Sequence, residues 1–243
     1  TSMVHHLRAL SAGMLLLCLL PAHPAQARDT GFDARARYIT ALYDTLRAPQ
    51  LQCAALRYAQ RRDIARADSI LLACPHIQAP GGDMFWMLVV MATYLHGKAL
   101  MSAQARSTVR KLWRTYAPNR GDTENHWLMY YASFYLAAES WPSEPGEAWF
   151  NGKSSSENLE EARDYLLHWM SVSVTQGHGE FDSPVYLPEY VIPLSLLAQF
   201  AQEAAMKQYA RMMLDYLMAD FAHEHLDGQM LGALSREYPA FVA

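Results

Sequence analysis

Residues 121–142 (GDTENHWLMYYASFYLAAESWP) place Trp127, Tyr131, Phe134, Tyr135 and Ala138 around most of the circumference of a helix. A helix that is apolar on one stripe can lie on a surface, whereas one that is apolar on nearly every side must be enclosed by other elements. The remaining chain supplies those elements in one form. Val and Ile are scattered without alternation, while Ala, Leu, Met and Tyr recur at helical spacing. The reading is all-α.

Eight helices are expected. They run from about Phe32 to Arg47, Leu51 to Leu72, Asp83 to His96, Ala99 to Tyr116, within the stretch 121–142, from Glu157 to Val174, from Pro184 into LSLLAQFA, and from Ala205 to Glu224. Pro49, Pro75 and Pro118 stop three of them, and Gly97 and Gly228 stop two more. Ser154 with Glu157 fits a capping box. Ser183 is expected as an N-cap with Pro184 at the first helical position. Short connections between long helices imply antiparallel hairpins. No repeat of fixed period is visible.

The first 27 residues are set apart. His5, His6 and Arg8 precede an apolar run from Leu10 to Leu20, followed by AQA at Ala25–Ala27. This is the pattern of a signal peptide cut after Ala27. The run is shorter than the ~20 residues of a spanning helix, and Leu17 before Cys18 does not suit a lipoprotein signal. A periplasmic or extracellular protein follows, with residues 28–243 forming a single helical domain. In an oxidising compartment Cys53 and Cys74 either pair or remain two buried thiols. The sequence has Thr-Ser ahead of Met3 and stops at REYPAFVA, so a fragment of a longer reading frame is an open alternative. The net charge of −4 argues against nucleic acid or an anionic membrane surface as partner.

Three stretches carry candidate chemistry. In TENHW, Thr123 and Glu124 suit a helix N-terminus, but Asn125 and His126 at the mouth of an enclosed helix need partners. In GHGEFDSPVYLPEYVIP, Gly177 and Gly179 flank His178, Glu180 and Asp182 are carboxylates one residue apart, and Tyr186 and Tyr190 share a helix face. In LSREYP, Arg236 can bind a carboxylate bidentately, with Tyr238 beside it. The loop 141–156 displays Trp149 and Phe150 as an exposed pair suited to sugar stacking. Arg106, Arg110 and Arg114 form a basic, solvated face. No metal site or cofactor is expected: HEH at 223–225 spaces its residues off one helix face, and no phosphate loop or nucleophile elbow occurs.

Asn125-His126 entering an apolar helix, followed by the tyrosine-rich segment and LSLLAQFA, resembles the (α/α) toroids of polysaccharide lyases. Alginate lyases and heparinase-like enzymes are the nearest comparison, over about residues 120–240. The doubled Asn before the His of some members is missing here. The resemblance implies an incomplete toroid, since a full one has more than eight helices, and a β-elimination on uronate-containing glycan. Asn125, His126 and Arg236 would neutralise the uronate carboxylate, and Tyr186 or Tyr190 would act as acid or base. Glu124, Trp149, Phe150, His178, Glu180, Asp182 and Tyr238 would line the substrate. Two other readings stand beside it. One is a glycoside hydrolase on a related toroid, using Glu124 with Glu180 or Asp182. The other is a glycan-binding envelope protein without turnover.

Overall fold

The computed structural model describes residues 30–45, 50–78, 83–115, 119–180, 182–226 and 229–230. The leader (1–27), Arg236 and Tyr238 lie outside the described residues. Among the described residues ten α-helices follow in chain order: α1 (Thr30–Asp44), α2 (Leu51–Ala59), α3 (Ile64–Ala73), the single-turn α4 (Pro75–Gln78), α5 (Met84–Gly97), α6 (Ala103–Thr115), α7 (Glu124–Ser140), α8 (Ser155–Gln176), α9 (Leu187–Phe200) and α10 (Ala204–His223). Two-residue strands at His225–Leu226 and Gln229–Met230 pair antiparallel after α10. The all-α expectation holds among the described residues. None of the described helices is long and apolar enough to cross a membrane.

The expected helix 51–72 is two helices. Arg61 (φ 56°) and Asp63 (φ 48°) turn the chain through left-handed backbone, and α2 and α3 then pack as a hairpin. The helix expected from Pro184 begins only at Leu187. Ser183 Oγ instead accepts the Tyr186 N–H (3.2 Å), forming a local turn, and Pro188 takes the first-turn position in which a missing N–H costs nothing. The capping box at Ser154 and Glu157 is present in both directions.

α7 touches α5, α8 and α9, and α2 packs on α5. End contacts set the directions. The Gly97 end of α5 abuts Tyr58 of α2, and Phe85 of α5 meets His126 of α7 edge-on at 5.4 Å. Glu139 of α7 accepts from the Gln202 N–H just past α9 (2.7 Å). Thus α2, α5, α7 and α9 run parallel as an inner row, while α3, α8 and α10 return beside them. The N-termini of the inner helices gather at one end. His96 of α5 and Phe200 of α9 meet at the other, 4.9 Å between ring centroids.

Two surface expectations change. Trp149 is 3 % exposed, with its ring against Trp113 and its indole N–H donating to Ser155 Oγ (3.2 Å). Phe150 is half-buried against Phe134. Neither is an open sugar platform, because the loop 141–156 folds back over α6 and α7 and uses them as its own core. Arg110 is no solvated member of a basic face either. Its guanidinium lies 5.1 Å from the Trp141 ring and 5.0 Å from the Trp149 ring, and it pairs with Glu144 at 3.3 Å. Cys53 and Cys74 are both buried and are not bonded to each other, so no disulfide ties α2 to the end of α3.

The α2–α5 contact depends on a missing side chain. A Cβ on Gly97 would lie 2.6 Å from the Tyr58 ring and 2.8 Å from Met101 Cε. Gly97→Ala is therefore expected to destabilise the fold by ~1–3 kcal/mol through overpacking, read as a lowered urea midpoint at unchanged slope.

Candidate functional site

The first turns of α7 and α9 and the segment joining α8 to α9 converge on two carboxylates. Glu124, at the first position of α7, accepts the Trp169 indole N–H on Oε1 (2.6 Å) and the Gly179 backbone N–H on Oε2. A Cβ at 179 would sit 2.9 Å from that oxygen and would push the Glu124 carboxylate aside. Glu180, 5 % exposed, accepts from the Asn125 amide and from the Tyr190 hydroxyl (2.8 Å). The same hydroxyl lies 3.4 Å from Glu124 Oε2. One buried phenol thus bridges both acids. Trp169 stacks on it (5.9 Å, 18°) and His178 leans against it (5.0 Å).

The electrostatics follow from burial among acids. Tyr190 is held far above the ordinary tyrosine range, first by burial and then by the Glu124 and Glu180 charges. Glu189, on the first turn of α9, is pushed up to about 8 by burial and by Glu180, so it is neutral at pH 7. Burial raises Asp182 to about 6, with Asp220 and Glu224 adding to the effect. Burial lowers His178, against the opposing pull of Glu124, Asp220 and Glu180. Asp182 also has left-handed backbone (φ 49°), and with His178, Glu180, Ser183 and Asp220 it lines a chamber of ≈ 10 Å³, about the size of one water.

The site residues read from the sequence therefore divide. Glu124, Asn125, His178, Glu180 and Tyr190 come together, with Asp182 at their edge. Tyr186 is the half-buried N-cap of α9, outside the hydrogen bonds of the Tyr190 hydroxyl. His126, one residue from Asn125, turns about 100° around the helix and lies over Gly121 and against Phe85. The expected Asn-His pair is split between two sides of α7. Trp149 and Phe150 are core residues. Thr123 stands at the N-cap but forms no capping bond, and Glu124, read as a dipole partner, a substrate-lining residue and one acid of the hydrolase reading, is the centre of the network.

Trp169 and Glu189 were not anticipated as site residues. A helical tryptophan read as core still has an indole N–H to satisfy when buried, and that was the available signal. No group of three or more His, Cys, Asp or Glu suited to a metal occurs among the described residues. Comparison of the chain with protein-family models, with curated proteins and with solved structures finds no match.

Glu189 and Asp182 make a testable contribution to stability. A carboxyl whose folded pKa is raised binds its proton more tightly in the folded state. Stability is then greatest below the unfolded pKa and falls as pH rises toward the folded value. For Glu189 the window runs from 4.5 to about 8, and for Asp182 from 3.8 to about 6. At about 1.4 kcal/mol per unit, Glu189 accounts for on the order of a few kcal/mol. Thermal melts from pH 4.5 to 8 are expected to show a decline that Glu189→Gln largely removes.

Proposed function

We propose that this chain is an exported carbohydrate-active protein that hydrolyses a glycosidic bond with Glu124 and Glu180. The carrying observation is the Tyr190 hydroxyl that both acids share, which limits their nearest oxygens to about 6 Å apart. A retaining pair needs ~5–5.5 Å and an inverting pair ~6.5–9.5 Å. The separation favours retention. Glu124, whose two oxygens each accept an N–H, is assigned the nucleophile. It attacks the anomeric carbon as the glycosidic C–O bond breaks, while Glu180 protonates the leaving oxygen. Water, deprotonated by Glu180, then opens the glycosyl ester and restores Glu124. On this reading the parallel inner helices are part of an incomplete (α/α) toroid, with the site at their gathered N-termini.

The resemblance to lyases supports a second reading, β-elimination through Asn125, His126 and a tyrosine. Three features weigh against it. The Asn125 amide is engaged by Glu180, His126 faces Phe85, and Tyr190 sits between two acids that hold its proton on. Arg236 belongs to this reading and lies outside the described residues.

The two chemistries leave different products. Incubation with neutral and acidic glycans is expected to release new reducing ends of retained anomeric configuration, without the ultraviolet absorbance of unsaturated uronates. Glu124→Gln is expected to lower turnover by ~10²–10⁴-fold, and His126→Ala to leave it within a factor of a few. Unsaturated products, or loss of activity in His126→Ala with Glu124→Gln tolerated, would restore the elimination reading. Absence of turnover on every glycan would leave the non-catalytic reading.

A further inference from the structure

Away from the two acids, α8 and α10 carry matching apolar stripes. Leu167, Met170, Ser171 and Val174 of α8 line one side of a groove of ≈ 570 Å³. Tyr209, Met212, Met213 and Tyr216 of α10 line the other. Each set has the spacing i, i+3, i+4, i+7, which is two turns on one helix face. The two helices pass the groove in the same direction. Arg163 of α8 pairs with Glu203 at the start of α10 (2.9 Å). At the other end His178, just past α8, shares a chamber with Asp220 and Phe221 of α10. Met170 and Met213 are buried, whereas Val174, Tyr209 and Met212 are 52 %, 45 % and 56 % exposed.

A contiguous apolar groove left open to water marks a binding surface. Two parallel helices with facing stripes are complementary to a third helix, whose own side chains at the same spacing fill the space between them. Methionine suits such a contact, because its unbranched thioether adapts to the incoming shape.

Charge decides among the occupants. Asp164 stands three residues before Leu167, Glu160 four before that, and Asp215 three after Met212, so all three edge the groove. All three are exposed. The remaining polar members of these two rows are His168, Thr175 and Gln208, with no Lys or Arg. Arg163 is engaged by Glu203, and Arg211 lies about 100° round the helix from Met212. Two copies of the chain packed groove to groove would set the acids against one another, which is unfavourable. A fatty acid or an anionic lipid surface would bring its own negative charge to the same carboxylates. A helix flanked by Lys and Arg meets opposite charges on both sides.

We infer that the α8–α10 groove is a docking site for an amphipathic helix of a partner protein, apolar at i, i+3, i+4 and i+7 and basic on both flanks. The groove is formed by the outer helices, and the inference stands apart from the glycan reading.

The test is fluorescence anisotropy of labelled peptides titrated with the full chain. Three peptides of about 18 residues, long enough to hold a helix, are compared: a leucine stripe flanked by lysine, the same stripe flanked by glutamate, and a scrambled order of the lysine peptide. The lysine peptide is expected to bind at least tenfold more tightly than the other two, and more weakly as salt is raised. Val174→Gln with Met212→Gln, both at exposed positions, should weaken it at least tenfold. Asp164→Lys with Asp215→Lys should transfer the preference to the glutamate peptide. The comparison of peptides on the unaltered protein needs no variant and decides the matter if a variant does not fold. Equal binding of the scrambled or the glutamate peptide overturns the inference, as does binding of none. A charge-reversed variant that still prefers the lysine peptide also overturns it. Sedimentation of the chain without peptide is expected to show that Val174→Gln with Met212→Gln leaves its mass unchanged. A dimer that this variant converts to monomer overturns the inference by giving the groove to a second copy.

Discussion

A helix with no polar side has to be enclosed, and α7 is enclosed by α5, α8 and α9. That one requirement organises the chain. Each inner helix is buried by its inner neighbours and by the helix that returns beside it, and parallel neighbours bring their N-termini to the same end. The enclosed helix keeps its charged groups at its ends, Glu139 at one and, in the first turn, Glu124 with Asn125 and His126 beside it. The site is thus a consequence of burying α7 as well as a feature added to it.

Placing two carboxylates and a phenol at that end carries a cost, since charges removed from water must be paid for by hydrogen bonds. The network supplies them sparingly. Trp169 and Gly179 support Glu124, Asn125 supports Glu180, and Tyr190 serves both. Glu189 is kept neutral by the same surroundings. Asp182 takes left-handed backbone at the same spot, a conformation that Asp adopts more readily than most residues. Elsewhere, the Trp141–Arg110–Trp149 stack and the Ser155 contacts hold the 141–156 loop to the core, so that loop is structural.

Much of the local structure was legible. The capping box at Ser154, the start of α7 after Thr123 and the all-α character follow from short-range rules that act on neighbouring residues. The break within 51–72 was not legible, because Arg61 and Asp63 take left-handed backbone without glycine. Nor was the late start of α9, where Ser183 had two backbone partners to choose from and took the turn. At the site, both acids, Asn125 and Tyr190 could be singled out by residue type. Glu124 with Glu180 was one of two carboxylate pairings the sequence offered, but the choice of Glu180 over Asp182 and the Tyr190 hydroxyl between the two acids could not be read, since Glu124 and Glu180 are 56 residues apart in the chain.

The sequence by itself determined that the chain is helical, that α7 is enclosed, and that a polar cluster opens that helix. It did so because periodicity and capping are properties of adjacent residues. Only the tertiary structure decided which neighbours face one another. It turned His126 away from Asn125 because successive helical residues diverge by about 100°. It buried Trp149, and it brought Trp169 and Tyr190 against Glu124, because helix packing joins residues by direction and distance in space and takes no account of their order.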